Sequence, residues 1–404
     1  MDYNLVIIGA THAGLVTAKK AIAQNLRVAL VQQTDQPLQD LQERALQKVL
    51  FYAVQSQSEN IEALIAAAIA PLDVYEILAK LTESGVDLIQ EKGHFQWLPE
   101  ISFATKTRQL KAHNFVIATG TVQDDLLSQN SFSLVDLVAN QAWHKLAENI
   151  VITGQEPQSL SLAYSLAKLG KNIQLVLNNR LFSAETPDCT HRIQTFLEVA
   201  GVEIYRNLST VEQQEVLAQE NVTVIGRSRR AATTQLNLPQ DFCRPQNMWL
   251  KVNPYLQTSR SNIFGCGSVL GGYNLPELAI AEAETIISNI TQKKKQICPY
   301  ATTPYRLFEP FPFDHVGYQS NKPEPEIIVK QQNFVMDRLD QLEFPLDLTV
   351  KLWLDSQQKL LGATVLGDSS GKLIYYCRDL IQNRHTFTTW DNLLEQSGLF
   401  VESW

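Results

Sequence analysis

Sulphur is missing where redox chemistry would first be sought. The 404 residues carry only five cysteines, at 189, 243, 266, 298 and 377, so none stands before Cys189. They lie at wide intervals, with no C-x-x-C pair and no histidine cluster beside them, which leaves buried or free thiols and no metal site to assign. No block of one charge sign occurs either: 34 basic and 42 acidic residues are interspersed for a net charge of -8. That balance argues against a nucleic-acid partner, and the short run Lys293, Lys294, Lys295 does not change it. The longest apolar stretch, IEALIAAAIAP at 61–71, contains Glu62 and is about half the length that spans a bilayer, so a core helix is expected there and no membrane span. The first residues read at once as a strand, without a basic leader and an apolar core, which predicts no export signal and a cytoplasmic chain.

What is present is a large apolar fraction. At 45% hydrophobic and 19% charged residues, the chain can fill two or three ordinary cores. It opens with a βαβ pattern: the strand LVIIG, the turn GATHAGL at 9–15, a helix from Gly14 to Gln24, and a second parallel strand RVALVQ at 27–32. In a dinucleotide fingerprint the first glycine turns the chain, the second lets the backbone approach a pyrophosphate, and the third packs helix on strand. Gly9 and Gly14 hold the first and third places and Thr11 the middle one. The Thr11 hydroxyl and the helix amides at Ala13 and Gly14 are donors that an anion can use. Gln32 stands where a ribose-binding acid is expected, and its amide bonds more weakly than a carboxylate. The same pattern also describes a βαβ unit whose turn holds no ligand.

A second unit of this form lies at 149–179, NIVITGQEPQSLSLAYSLAKLGKNIQLVLNN. Gly154 holds its first position, Glu156 the middle one and Ser159 the third, and Asn178 ends the second strand. A carboxylate at Glu156 would repel a pyrophosphate at a cost on the order of several kcal/mol in a partly buried turn. Binding of NAD(P) is therefore not expected there.

Two later stretches, NFVIATGT at 114–121 and NIFGCGSVLGGYNLPELAIAEAETIISNI at 262–290, have the form of further flavin-contacting segments. With GATHAG they make the chain resemble the FAD-dependent pyridine nucleotide-disulfide oxidoreductases, such as dihydrolipoamide dehydrogenase, mercuric reductase and the NADH oxidase group. The collinear resemblance includes GVDLIQEKGHFQWLPE at 85–100, LFSAETPDCTHRIQTFLEVAGVEIY at 181–205 and the hairpin LTVKLWLDSQQKLLGATVLG at 348–367. It implies an α/β fold: a discontinuous FAD-binding-type domain (1–145 and 253–300), a shortened NAD(P)-binding-like Rossmann domain (146–252) and a C-terminal α+β dimerisation domain (301–404). It also implies FAD contacts at Gly9, Thr11, His12, Ala13, Gly14, Gln32, Lys48, Thr119, Gly120, Gly267 and Ser268. The NADH oxidase branch has a similar turn with a histidine beside its redox cysteine, which makes His12 a flavin neighbour; the other reading is a ring packed at the helix start. Lys48 matches a lysine that faces the flavin in the family, though a solvated helix lysine reads equally well.

The departures are as informative as the matches. The family's two reactive sulphurs would fall in QDLQERALQKVLFYA, where Gln39 and Arg44 stand instead. Disulfide exchange needs a thiolate and a sulphur leaving group, and neither residue replaces them. Ser268 replaces a flavin-binding aspartate, and Cys266 reads as a small buried residue. Ser161 replaces a nicotinamide-side glutamate. Phe400 lies near the place of the partner-supplied histidine, and His385 comes too early to serve. No catalytic residue is assigned. Two readings follow: a flavoprotein passing electrons to oxygen, a quinone or a redox protein, or a non-catalytic homodimeric scaffold that binds a protein partner. The helix GKLIYYCRDLIQN at 371–383 resembles the family's dimer interface, with Leu373, Ile374 and Ile381 expected to gain cover from a second subunit.

Overall fold

The computed structural model describes residues 2–33, 39–57, 60–69, 73–123, 131–132, 147–154, 156–177, 187–217, 222–226, 229–245, 248–320, 323–335, 347–367 and 371–397. The chain forms two compact units, one from 1–146 and 223–299, the other from 147–222 and 300–404.

The first unit is built on the YNLVII run. Its strand Tyr3–Ile8 is the middle of a five-stranded parallel sheet, flanked by Ala112–Ile117 and Val28–Val31, with Ile263–Gly265 and Asp87–Ile89 at the edges. Leu5, Val6, Ile7 and Ile8 are all fully buried, because a central parallel strand is covered on both faces. Burying each such side chain contributes roughly 1.5–3 kcal/mol. On one face Leu5, Ile7, Leu30, Val116 and Phe264 meet Ala18 and Ala21 of the helix His12–Ala23 and Ala283 and Ile286 of the helix Pro276–Thr291. The small residues let the two helices come close to the sheet. On the other face Val6, Ile8, Phe115 and Ile117 meet Phe95 and Phe103 of a small antiparallel sheet, Gly93–Gln96, Ser102–Thr105 and Gln109–Leu110.

Ala231, Leu236, Phe242 and Leu250 complete this second layer. The first unit thus also takes in 223–252. Three helices, Gln39–Gln55, Ile61–Ile69 and Val74–Glu83, occupy the stretch between the second and third parallel strands. The last is started by Asp73, whose carboxylate accepts from the amides of Tyr75 at 2.8 Å and Glu76 at 3.3 Å.

In the second unit, Val202–Arg206, Asn172–Leu177 and Asn149–Thr153 pair in parallel in that order, with the helices Pro157–Lys168 and Pro187–Val199 between them in sequence. The C-terminal part is an antiparallel sheet in the order Tyr305–Phe308, Phe313–Gly317, Leu360–Leu366, Asp347–Leu354, Ile328–Val335. The expected hairpin is there: Thr349 to Leu354 pair with Leu366 to Leu360. The helix Lys372–Gln382 lays Leu373, Ile374, Cys377 and Leu380 on the sheet residues Val316, Leu352 and Ala363. Leu373 and Ile374 are therefore already fully buried by their own chain and need no second subunit, which corrects the expectation drawn from their apolar character. Ile381 is only partly buried. Among the described residues no helix is long and apolar enough to cross a membrane.

Candidate functional site

Three loops of the first unit meet at the start of its first helix. At Gly9 the backbone takes φ +117°, and a Cβ there would collide with the Ala118 carbonyl. Gly9 N–H is held by Val31 O at 2.8 Å and Ala118 N–H by Ile8 O at 2.8 Å, so the turn is pinned to both neighbouring strands. A Cβ at Gly14 would run into the Gly9 carbonyl, which gives this third glycine its helix-to-strand contact. Gly120 and Gly267 approach the same point: added Cβ atoms would lie 3.0 Å from Thr11 Cγ2 and 2.5 Å from Ala13 Cβ. Ser268 Oγ lies 3.5 Å from the same Gly120 position. Gly9, Thr11, Ala13, Gly14, Thr119, Gly120, Gly267 and Ser268, read from three separate motifs, are thus brought together. Gln32 stands next to them, its carbonyl accepting from Ala10 N–H at 3.2 Å.

Two of the donors assigned to an anion, the Thr11 hydroxyl and the Gly14 amide, are, however, used inside the chain. Thr11 is the N-cap of the helix: its hydroxyl donates to Ala118 O at 2.8 Å and accepts from Gly14 N–H at 3.4 Å. His12 N–H points at Asp40, 3.2 and 3.4 Å from its two carboxylate oxygens. Gly267 N–H donates to the buried carboxylate of Glu282 at 2.6 Å. As arranged, this turn does not offer its Thr11 hydroxyl or its His12 and Gly14 amides to a pyrophosphate.

The helix Gln39–Gln55 supplies the rest of the wall. It presents Asp40 and Glu43 together with Arg44, one of the two positions where a sulphur was sought. Arg44 pairs with Glu277 at 3.4 Å, and Glu43 with Arg229 at 2.5 Å, the latter two side chains both buried. Burial pushes the His12 imidazole below its ordinary value and the Asp40 carboxyl above its own, partly offset by the attraction between them. Several polar atoms of this wall are buried with no hydrogen-bond partner: His12 Nε2, Thr119 Oγ1, Gln47 Nε2 and Glu277 Oε2. Such a cluster of orphans fits a polar ligand better than a closed core. Lys48 is exposed, while Gln47 beside it is buried. The side chain of Gln39 lies outside the described residues.

Cys266 behaves as the small buried residue expected. Its sulphur accepts from Thr17 Oγ1 at 3.7 Å, and burial holds its thiol well above the ordinary range, so thiolate is suppressed. Cys189, Cys298 and Cys377 are buried as well, and Cys243 is half-buried.

The second unit's turn starts alike and then diverges. Gly154 has φ +120° and its N–H meets Val176 O at 3.2 Å. Glu156 is the N-cap residue, but its side chain does not cap the helix, and Pro157 at the first helical position removes one amide donor. Ser159 is fully buried in the place of the third glycine, and Ser161 Oγ is turned back to Pro157 O at 3.1 Å. Asn178 and Phe400 lie outside the described residues, and His385 is exposed. Among the described residues no group of three His, Cys, Asp or Glu could hold a metal ion.

Sequence reasoning missed Asp40, Glu43, Glu277 and Glu282. The sequence signal for Asp40 is an acid in the first turn of a helix; its target amide is set by tertiary placement alone.

Comparison with known proteins agrees with this geometry. The family described as pyridine nucleotide-disulphide oxidoreductase matches residues 3–283. Mercuric reductase of Staphylococcus aureus is 24% identical, over 93% of this chain and 76% of its own length. Dihydrolipoyl dehydrogenase of Mycoplasma genitalium is 22% identical, over 74% of each chain. Among solved structures, the HOCl-induced flavoprotein disulfide reductase RclA from Escherichia coli superposes with a TM-score of 0.78, covering 98% of this chain and 100% of that one at 18% identity.

Proposed function

The chain belongs to the pyridine nucleotide-disulphide oxidoreductase family, and we propose that it is a FAD-binding member without a disulfide step. One observation carries the proposal: of the two places where the reactive sulphurs would stand, Gln39 and Arg44, neither holds a sulphur, and Arg44 is taken up in an ion pair with Glu277. No cysteine lies within reach in sequence, and Cys266, the one beside the turn, is buried and kept protonated. FAD, the cofactor the family uses, supplies two-electron chemistry when bound. The backbone of this chain suits it through the close approach of Gly9, Gly120 and Gly267 and through the orphaned polar atoms of His12, Thr119 and Gln47. Without a thiol relay, electrons leave to an acceptor that meets the flavin directly, such as oxygen, a quinone or another redox protein. The altered second turn, with Glu156 and Pro157, supports a donor other than NAD(P)H at that place. The proposed working form is a cytoplasmic homodimer of about 91 kDa, twice the 45.5 kDa chain.

A second reading, a scaffold that has lost the cofactor, draws on the Asp40 carboxylate at the helix start. An absorption spectrum followed by anaerobic reductive titration separates the readings. The flavoprotein takes up about two electron equivalents per flavin, whereas a flavin with a working dithiol takes about four. Uptake near four overturns the proposal, and colourless protein that stays colourless with added FAD selects the scaffold.

A further inference from the structure

We propose that Asp40 is a built-in occupant of the phosphate position, so that FAD loads only by displacing the chain's own carboxylate. The inference rests on the FAD reading and concerns what opposes it. The first turn of the helix His12–Ala23 is the place where a dinucleotide pyrophosphate is expected, because its amides point outward and the helix dipole favours an anion. In this chain an anion is already there, with both oxygens of Asp40 within 3.4 Å of His12 N. The two arginines described at this wall are engaged with other acids: Arg44, on the same helix, is paired with Glu277, and Arg229 with Glu43. Two further donors of the turn are engaged within the chain, the Thr11 hydroxyl on Ala118 O and the Gly14 amide on Thr11. A phosphate entering beside Asp40 meets a like charge in a partly buried place, and a carboxylate that leaves must give up the His12 amide.

The test is FAD affinity of the full chain after removal of bound flavin, read by quenching of flavin fluorescence, with circular dichroism as the check on folding. Asp40→Asn keeps the size and a hydrogen-bond acceptor for His12 N–H but removes the charge, and it should lower the Kd about tenfold or more. Asp40→Ser, which vacates the position, should tighten binding as well, and provides the same reading if the asparagine variant does not fold. The apoprotein should melt lower in Asp40→Ser than in the wild type, because the His12 amide loses its partner. Wild type and both variants binding FAD with equal Kd would overturn the Asp40 proposal and leave the FAD reading standing. No binding by any of the three would overturn both.

Discussion

Acidification should destabilise the second unit through one residue, His315. This histidine lies in the strand Phe313–Gly317 and is fully buried. Its Nε2 lies 3.1 Å from Gly317 O and its Nδ1 2.8 Å from Thr364 Oγ1. The carbonyl can only accept, so Nε2 carries the proton and Nδ1 accepts from the hydroxyl: a neutral ring with both nitrogens satisfied. A second proton would have to displace the threonine hydrogen bond and bring a charge into a site lined by Trp353 and Tyr305. Burial accordingly pushes the imidazole from its ordinary 6.5 down to about 4. Below pH 6.5 the unfolded chain binds a proton that the folded chain refuses. The stability contribution is therefore whole above that pH and falls as the pH drops toward 4. The full gap is worth about 3 kcal/mol, and about 2 kcal/mol of it is lost by pH 5. Urea unfolding at pH 7 and pH 5, with hydrogen exchange in strands Phe313–Gly317 and Leu360–Leu366 as the local readout, measures the loss. Other groups titrate in the same range, so the comparison that counts is with His315→Gln, which should be less stable at pH 7 but lose about 2 kcal/mol less on acidification. Equal losses in the two proteins would refute the reasoning.

Three further outcomes are expected in the first unit. Glu43→Leu should cost about 3–5 kcal/mol, because it strands the Arg229 charge inside, and the double variant Glu43→Leu/Arg229→Met should recover much of that; denaturant titration of both checks it. Gly14→Ala should lower stability by about 3 kcal/mol, since its methyl group would strike the Gly9 carbonyl, and a thermal midpoint equal to that of the wild type would contradict the close contact. Thr11→Ala removes the helix cap and should cost about 1–2 kcal/mol in the same melt.

The backbone of the candidate site could be read from the sequence because its restraints are local and steric. An apolar run that ends in Gly9 and is followed three turn residues later by a helix has few ways to fold, and the glycines at 120 and 267 mark the other two loops that come close. The alternation in LTVKLWL likewise announces a strand whose Val350, Leu352 and Leu354 face the core. Burial of Leu373 and Ile374 by their own sheet was not legible, since an apolar helix face reads the same whether a sheet or a second subunit covers it.

The chemistry of the site was less legible, and for a physical reason. Thr11 carries one hydroxyl proton, and whether it meets a phosphate or Ala118 O depends on which acceptor the fold brings to 2.8 Å. Asp40 reaches the amide of His12 from the next helix, 28 residues on and outside the GATHAG motif whose donor it consumes, whereas Glu282 reaches Gly267 from within the same 262–290 stretch. Motifs report where an anion site is built; they do not report whether the chain fills that site itself. The two events have different consequences here: a phosphate at the His12 amide would tie the cofactor to the fold, whereas Asp40 ties the Gln39–Gln55 helix to the turn. That helix is also the one from which the sulphurs are gone. A carboxylate in the phosphate position and an arginine in a sulphur position thus lie within four residues of each other, on one element, and both replace a function of the cofactor or its relay with a contact internal to the protein.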